Sequence, residues 1–182
     1  MDIYLVRHGE AAASWAQSAD PGLSELGHQQ AEQTATRLLG IVPDEVQLLS
    51  SPLARALETA QPLAQALGKP ITTNDVFREI PAPVPLAERQ TWLRQFMQER
   101  WATQERSLHQ WRESLYGNLL DLGHPTVVFT HFLVINAVVG QVQNREETLC
   151  FWPDNASVTQ LSLNDGALEL VALGDELSTV VN

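Results

Sequence analysis

Three short stretches carry the residues that could do chemistry. Arg7 and His8 follow directly on the apolar run Ile3-Tyr4-Leu5-Val6. A second arginine, Arg55, lies in Ser51-Pro52-Leu53-Ala54-Arg55-Ala56, and a second histidine, His131, closes the run Val127-Val128-Phe129-Thr130. A histidine that is neutral near pH 7 is a nitrogen nucleophile. An arginine presents a planar fork of donors that suits phosphate oxygens. Two guanidiniums around two imidazoles suit an anion whose charge is spread over several oxygens, as in a phosphoryl group. A metal site would need a third ligand and would be repelled by the arginines. The glycine-rich Gly-x-x-x-x-Gly-Lys nucleotide motif is absent.

The elements that must position these groups read as α/β. Residues 3–6, 46–49, 71–73 and 126–130 are short apolar or β-branched runs, as buried parallel strands are. His8 and His131 then lie at the carboxyl ends of strands, where open α/β sheets bind ligands. Gly9 is expected to let the backbone turn and a ligand come close. Ser24 reads as the N-cap of a helix that runs to about Leu39 and stops at Gly40, with Ala31, Ala35, Leu38 and Leu39 as its apolar face. Ser51 is expected to cap a second helix, with Pro52 in its first turn and Arg55 close behind, beside N–H groups that favour an anion. Gly68 ends it.

Residues 86–122 read as mostly helical with a break near Thr103 or Ser107, after the stiff Pro81-Ala82-Pro83-Val84-Pro85. The aromatic and leucine stripe, Phe96 and Trp101 included, reads as core. Five arginines recur through this segment, of which one or two could reach a charged substrate. Residues 132–139 read as a helix. Residues 157–163 and 167–173 form a hairpin around Asn164-Asp165-Gly166, and the tail from Gly174 is expected to fray. The fold expected is one α/β domain over residues 1–182, a mainly parallel sheet flanked by helices on both faces.

Eleven Lys and Arg against 22 Asp and Glu give a formal charge of −11, which argues against non-specific nucleic-acid binding. The single cysteine, Cys150, has no partner for an internal disulfide and fits a reducing compartment. No signal-peptide pattern and no long apolar run stand out, so the expectation is a cytoplasmic protein with no membrane partner. A homodimer stays open.

Taken in order, strand-Arg-His-Gly, Ser-Pro-Leu-x-Arg-Ala and strand-Thr-His resemble the histidine phosphatase (phosphoglycerate mutase-like) superfamily, from residue 3 to about residue 163. The resemblance implies that His8 attacks phosphorus in line and becomes a phosphohistidine, with no cofactor. Arg7 and Arg55 would hold the oxygens, and a protonated His131 would add charge-assisted hydrogen bonds. Glu79, in Arg78-Glu79-Ile80, would protonate the leaving oxygen and then activate water. Ser14 stands six positions after His8, where the family often has an asparagine that contacts phosphate. The chain departs from the family pattern in three places: Pro81-Ala82-Pro83 after Glu79, Phe132-Leu133 in place of glycines after His131, and Asn136 where many members carry arginine. The implied activity is hydrolysis of a small phosphomonoester, with the 86–122 insertion over the site shaping the substrate pocket. The alternatives are a mutase-type phosphotransferase, a phosphohistidine protein phosphatase and a non-catalytic phosphate binder.

Overall fold

The computed structural model describes residues 1–13 and 20–177. Six strands form one sheet: β1 (Asp2–Arg7), β2 (Gln47–Ser50), β3 (Ile71–Thr73), β4 (Thr126–Thr130), β5 (Val158–Asn164) and β6 (Ala167–Ala172). Their order is β3-β2-β4-β1-β5-β6. The first four in that row are parallel, and the β5–β6 hairpin adds two antiparallel strands at one edge. The hairpin turns on Asp165 and Gly166, both at positive φ (48° and 77°), as the Asn-Asp-Gly signal requires.

β1 and β4 lie side by side at the centre, buried on both faces. Helices α1 (Glu25–Leu39), α2 (Ala54–Leu67), α3 (Arg89–Phe96), α4 (Arg106–Leu120) and α5 (Phe132–Val142) cover the sheet. The two-residue period of β1 divides its side chains between two cores. Ile3 and Leu5 pack with Phe96, Leu115, Leu119 and the apolar body of α5. Tyr4 and Val6 pack with Ala35 and Leu38 of α1 and Ala60 and Leu63 of α2. Each large side chain so buried contributes roughly 1.5–3 kcal/mol. Phe96 and Trp101 are core, as their spacing suggests, and the break between α3 and α4 falls at residues 97–105.

Helix α1 starts as the sequence suggests: the Ser24 Oγ accepts the Gly27 N–H at 3.0 Å and donates to Glu10 Oε1 at 2.7 Å. Helix α2 does not. It begins at Ala54, with Leu53 at the cap position and no side-chain cap bond. Ser51 is drawn off to His131, and Asp20 Oδ1 takes the Ala54 N–H at 2.9 Å instead. Gly68, at φ 63°, closes the helix in the left-handed conformation. The stretch from Gly174 is also tied down further than expected. The Gly174 N–H donates to Thr159 Oγ1 (3.1 Å) and the Leu177 N–H to the Trp152 carbonyl (2.9 Å). No helix among the described residues is long and apolar enough to cross a membrane.

Candidate active site

Parallel pairing of β1 with β4 matches Arg7 to Thr130, so the next residues, His8 and His131, emerge together. Their rings stand 5.3 Å apart, edge to face. Arg55, in the first turn of α2 and only 2% exposed, fits between them. Its Nε donates to His8 Nε2 at 3.1 Å, and its Nη2 lies 3.2 Å from His131 Nδ1. A guanidinium only donates, so both imidazole nitrogens that face it must accept. This assigns both tautomers. His8 carries its proton on Nδ1, which donates to the Gly9 carbonyl at 2.7 Å. His131 carries its proton on Nε2, which donates to Ser51 Oγ at 2.8 Å.

Both imidazoles are therefore neutral in this arrangement. Burial, then the charge of Arg55, pushes the His8 pKa down to about 3; the Gly9 hydrogen bond opposes this and Arg7 adds to it. His131 is held well below the usual histidine range by burial, then by His8, Arg55, Arg89 and Arg7. Burial and the neighbouring guanidinium both disfavour a second proton on His131 in this arrangement.

Glu79 lies on the loop between β3 and α3. Its Oε1 accepts the Ile80 N–H at 3.0 Å and the Leu133 N–H at 3.2 Å, so the carboxyl sits on the first turn of α5. Burial of the carboxyl raises its pKa, against the backbone hydrogen bonds and the charges of Arg55 and Arg89. An open cleft of about 330 Å³ adjoins it, lined by Leu53, Arg78, Glu79, Ile80, Arg89 and Trp111 among others. His8 does not line this cleft, and the Glu79 carboxyl that does also acts by its charge on Arg7 and Arg55. Arg89 comes from the helical insertion and donates to the Ile80 carbonyl at 3.1 Å. The sequence offers five arginines in this segment, of which one or two could reach a charged substrate, and does not choose among them.

Arg7 is fixed from two sides. Its Nη1 donates to the Pro153 carbonyl at 2.8 Å, and its guanidinium lies over the Phe132 ring, 5.2 Å from the centroid. Its Nε is buried with no hydrogen-bond partner among the described residues. Phe132 in turn packs on Trp152, with ring centroids 5.3 Å apart. The phenylalanine that departs from the family pattern is thus a support for Arg7. Asn136 does not face the site: its Oδ1 accepts the Cys150 and Phe151 N–H groups at 2.8 and 3.1 Å.

Gly9 serves a purpose other than the expected one. Its φ is not positive, and an added Cβ would stand 2.6 Å from the Gly27 carbonyl oxygen. The glycine lets the end of β1 press against α1 backbone. Its N–H donates to Thr59 Oγ1 at 3.0 Å, and that hydroxyl donates to the Arg55 carbonyl at 2.7 Å. Thr59, which the sequence did not single out, therefore ties the loop after β1 to the helix that carries Arg55. Ser14 lies outside the described residues. Among the described residues no group of three His, Cys, Asp or Glu is arranged to hold a metal ion.

Sequence comparison places residues 3–176 in the histidine phosphatase superfamily (branch 1), and the chain belongs to that family. Over 86 residues it is 40% identical to the probable phosphoglycerate mutase GpmB of Escherichia coli O1:K1; the match covers 44% of this chain and 38% of that protein. The chain thus matches well under half the length of these curated relatives. The fold is shared with phosphoserine phosphatase of Entamoeba histolytica, solved with 3-phosphoglyceric acid, at TM-score 0.74 and 22% identity over 97% of this chain and 98% of that one. It is shared also with YhfR of Bacillus stearothermophilus, at TM-score 0.75 and 20% identity over 96% of each chain. A mycobacterial glucosyl-3-phosphoglycerate phosphatase, solved with VO3, matches at TM-score 0.71 and 20% identity over 96% of this chain and 99% of that one.

Proposed function

We propose that the chain is a cofactor-independent phosphatase that hydrolyses small phosphomonoesters through a phosphohistidine on His8. The observation that carries this reading is the state of His8: its Nδ1–H is committed to the Gly9 carbonyl, and its Nε2 lone pair faces the guanidinium of Arg55. A nitrogen nucleophile that stays unprotonated at neutral pH, next to two arginines, suits attack on an anionic phosphoryl group.

In the first step the His8 Nε2 lone pair forms a bond to phosphorus as the P–O bond to the leaving group breaks. Arg7 and Arg55 take the charge on the non-bridging oxygens. Glu79, whose raised pKa favours the neutral acid, gives its proton to the leaving oxygen, which departs as an alcohol. In the second step Glu79, now a carboxylate, takes a proton from water as the water oxygen attacks phosphorus. The N–P bond breaks, phosphate leaves and His8 returns with its lone pair. His131 takes up a proton from solvent on Nδ1 as the anion binds, donates it as a hydrogen bond to the phosphoryl group, and releases it to solvent when phosphate leaves. Arg89 and Trp111, both from residues 86–122, line the cleft beside Glu79, which supports a leaving-group pocket shaped by that segment. The acidic composition and single cysteine fit a cytoplasmic location.

The test is phosphate release from a panel of phosphomonoesters, with chelator and no added metal, for wild type and His8→Ala. Release that vanishes in the variant supports the reading, and full activity in the variant sinks it. A second reading, transfer to an alcohol or a second phosphate ester instead of water, draws on the similarity to the probable phosphoglycerate mutases. An acceptor titration in the same assay separates the two, because transfer lowers phosphate release while product accumulates.

A further inference from the structure

Ser51 lies outside every catalytic step described above, yet it is buried completely and touches His131. We propose that Ser51 is the positioning residue for His131: while Arg55 keeps Nδ1 unprotonated, the Ser51 hydroxyl accepts Nε2–H, fixes the ring's orientation and supports the imidazolium that forms when Nδ1 takes up a proton at the phosphoryl group. The inference rests on the phosphatase reading for the meaning of that proton, and on geometry alone for the orientation of the ring.

The geometry is closed on all sides. His131 Nε2 lies 2.8 Å from Ser51 Oγ, and both residues are 0% exposed, so no solvent can replace the hydroxyl as acceptor. Ser51 is itself anchored. Its N–H donates to the Phe129 carbonyl at 2.9 Å, and its Oγ also accepts the Leu53 N–H at 3.3 Å. The serine is therefore fixed both to β4, which carries His131, and to the approach of α2, which carries Arg55. The opposite ring nitrogen, Nδ1, points at Arg55 and through it at His8.

A phosphoryl dianion drawn into this site engages the donors of Arg55. The Nδ1 lone pair of His131 would then face the anion's oxygens, which is repulsive. Taking a proton on Nδ1 turns that repulsion into a charge-assisted hydrogen bond. The resulting imidazolium needs an acceptor for both N–H groups, and Ser51 is the one already in place behind it. The charged and titratable groups around His131 are His8 and Arg7 at the end of β1, Arg55 of α2, Arg89 of α3, and Glu79 held on the first turn of α5. Four of these five oppose a second proton on His131 as they stand, so uptake is coupled to arrival of the anion. Burial of the ring makes the Ser51 acceptor harder to do without.

The experiment uses the full chain with 15N-labelled histidine and inorganic phosphate as the probe, so it does not depend on turnover. Wild type without phosphate is expected to show the Nε2–H tautomer for His131. Saturating phosphate at pH 7 is expected to shift both ring nitrogens to imidazolium values, with uptake of about one proton per site in calorimetry across buffers of different ionisation enthalpy. In Ser51→Ala the Arg55 donor still selects the Nε2–H tautomer, but that N–H loses its acceptor, so its hydrogen-bonded proton resonance should move upfield or vanish. Phosphate affinity should fall about tenfold, and the pH above which affinity declines should move down by about one unit. Ser51→Thr, which returns the hydroxyl, should restore the ring signature. If Ser51→Ala does not fold, Ser51→Cys supplies a weaker acceptor of similar shape with the same expected direction. A folded Ser51→Ala protein with the wild-type Nε2–H resonance and wild-type phosphate profile would overturn the proposal, as would an Nδ1–H tautomer in wild type. Failure of the phosphatase reading is seen separately, as wild type that binds no phosphate; the Nε2–H resonances of wild type and Ser51→Ala then still decide whether Ser51 holds the ring.

Discussion

Arg55 donates its Nε–H to Nε2 of His8 at 3.1 Å. One cation thereby occupies the lone pair of that nitrogen and leaves it without a proton, which is the state the proposed attack on phosphorus requires. The same guanidinium reaches His131, so a single side chain on α2 donates to the histidines that follow two neighbouring strands. Arg55→Gln removes the charge and the fork together. The His8 pKa is expected to rise toward its ordinary value, since Arg55 is among the causes holding it down. The phosphatase kcat/KM is expected to fall by at least about a hundredfold. An NMR titration of the His8 ring beside steady-state kinetics checks both. A His8 pKa that stays at the wild-type value would show that burial alone governs it.

Glu79→Gln separates chemistry from binding. The glutamine carbonyl can still accept the Ile80 and Leu133 N–H groups, so the loop and the start of α5 should hold. Activity is expected to drop by about 10²–10⁴ while phosphate still binds. The stability effect has a definite sign. The pKa of Glu79 is raised by folding, so its contribution is fully present below the unfolded value and is lost as pH rises through the folded one. The variant should therefore melt at or above the wild-type temperature at pH 8, and the difference should shrink toward pH 4.

The two histidines act in the opposite direction. Their pKa values are lowered by folding, so the stability they give as neutral groups is fully present above about 6.5 and is lost as pH falls. For His8 the loss runs from about 6.5 down to about 3. Each such group costs about 1.4 kcal/mol per pH unit within its window. Thermal melts from pH 7 to pH 5 should show a falling melting temperature, with a shallower slope in His8→Asn. Equal slopes would mean that His8 is not buried neutral.

Much of this arrangement is legible in the chain itself. The strands that carry His8 and His131 are continuous apolar runs, and burial on both faces leaves such runs few other places in an α/β fold. The ordered Arg-His-Gly, Ser-Pro-Leu-x-Arg-Ala and Thr-His stretches sufficed to expect His8, Arg55 and His131 around one anion. What could not be read was contact across the fold. Ser51 reads as a helix cap, because Ser-Pro is a strong local signal, but a buried imidazole claims its hydroxyl first. Gly9 reads as a turn glycine, but α1 backbone lies against it. Arg89 looks like its four neighbours in the insertion, and only the packing of α3 beside Glu79 distinguishes it. The charge state of His131 also depends on neighbours from three other elements, so no local pattern could supply it.

Gly9→Ala tests the packing reading of that glycine. The added methyl would meet the Gly27 carbonyl oxygen at 2.6 Å, and the obstacle is backbone that cannot rotate aside. A loss of about 1–3 kcal/mol of stability is expected, with a fall in kcat as His8 is displaced from Arg55. Urea unfolding and steady-state kinetics measure the two. A variant with wild-type stability would contradict the close approach of β1 to α1.

The most direct test of the central claim is to trap the phosphoenzyme. Rapid quenching into alkali during turnover of a phosphomonoester preserves phosphohistidine, and peptide mapping then locates the phosphoryl group. The expected result is a single adduct on His8, on the Nε2 that faces Arg55, absent from His8→Ala and accumulating in Glu79→Gln when a substrate with a good leaving group is used. An adduct on another residue, or undiminished turnover by His8→Ala, would contradict the account.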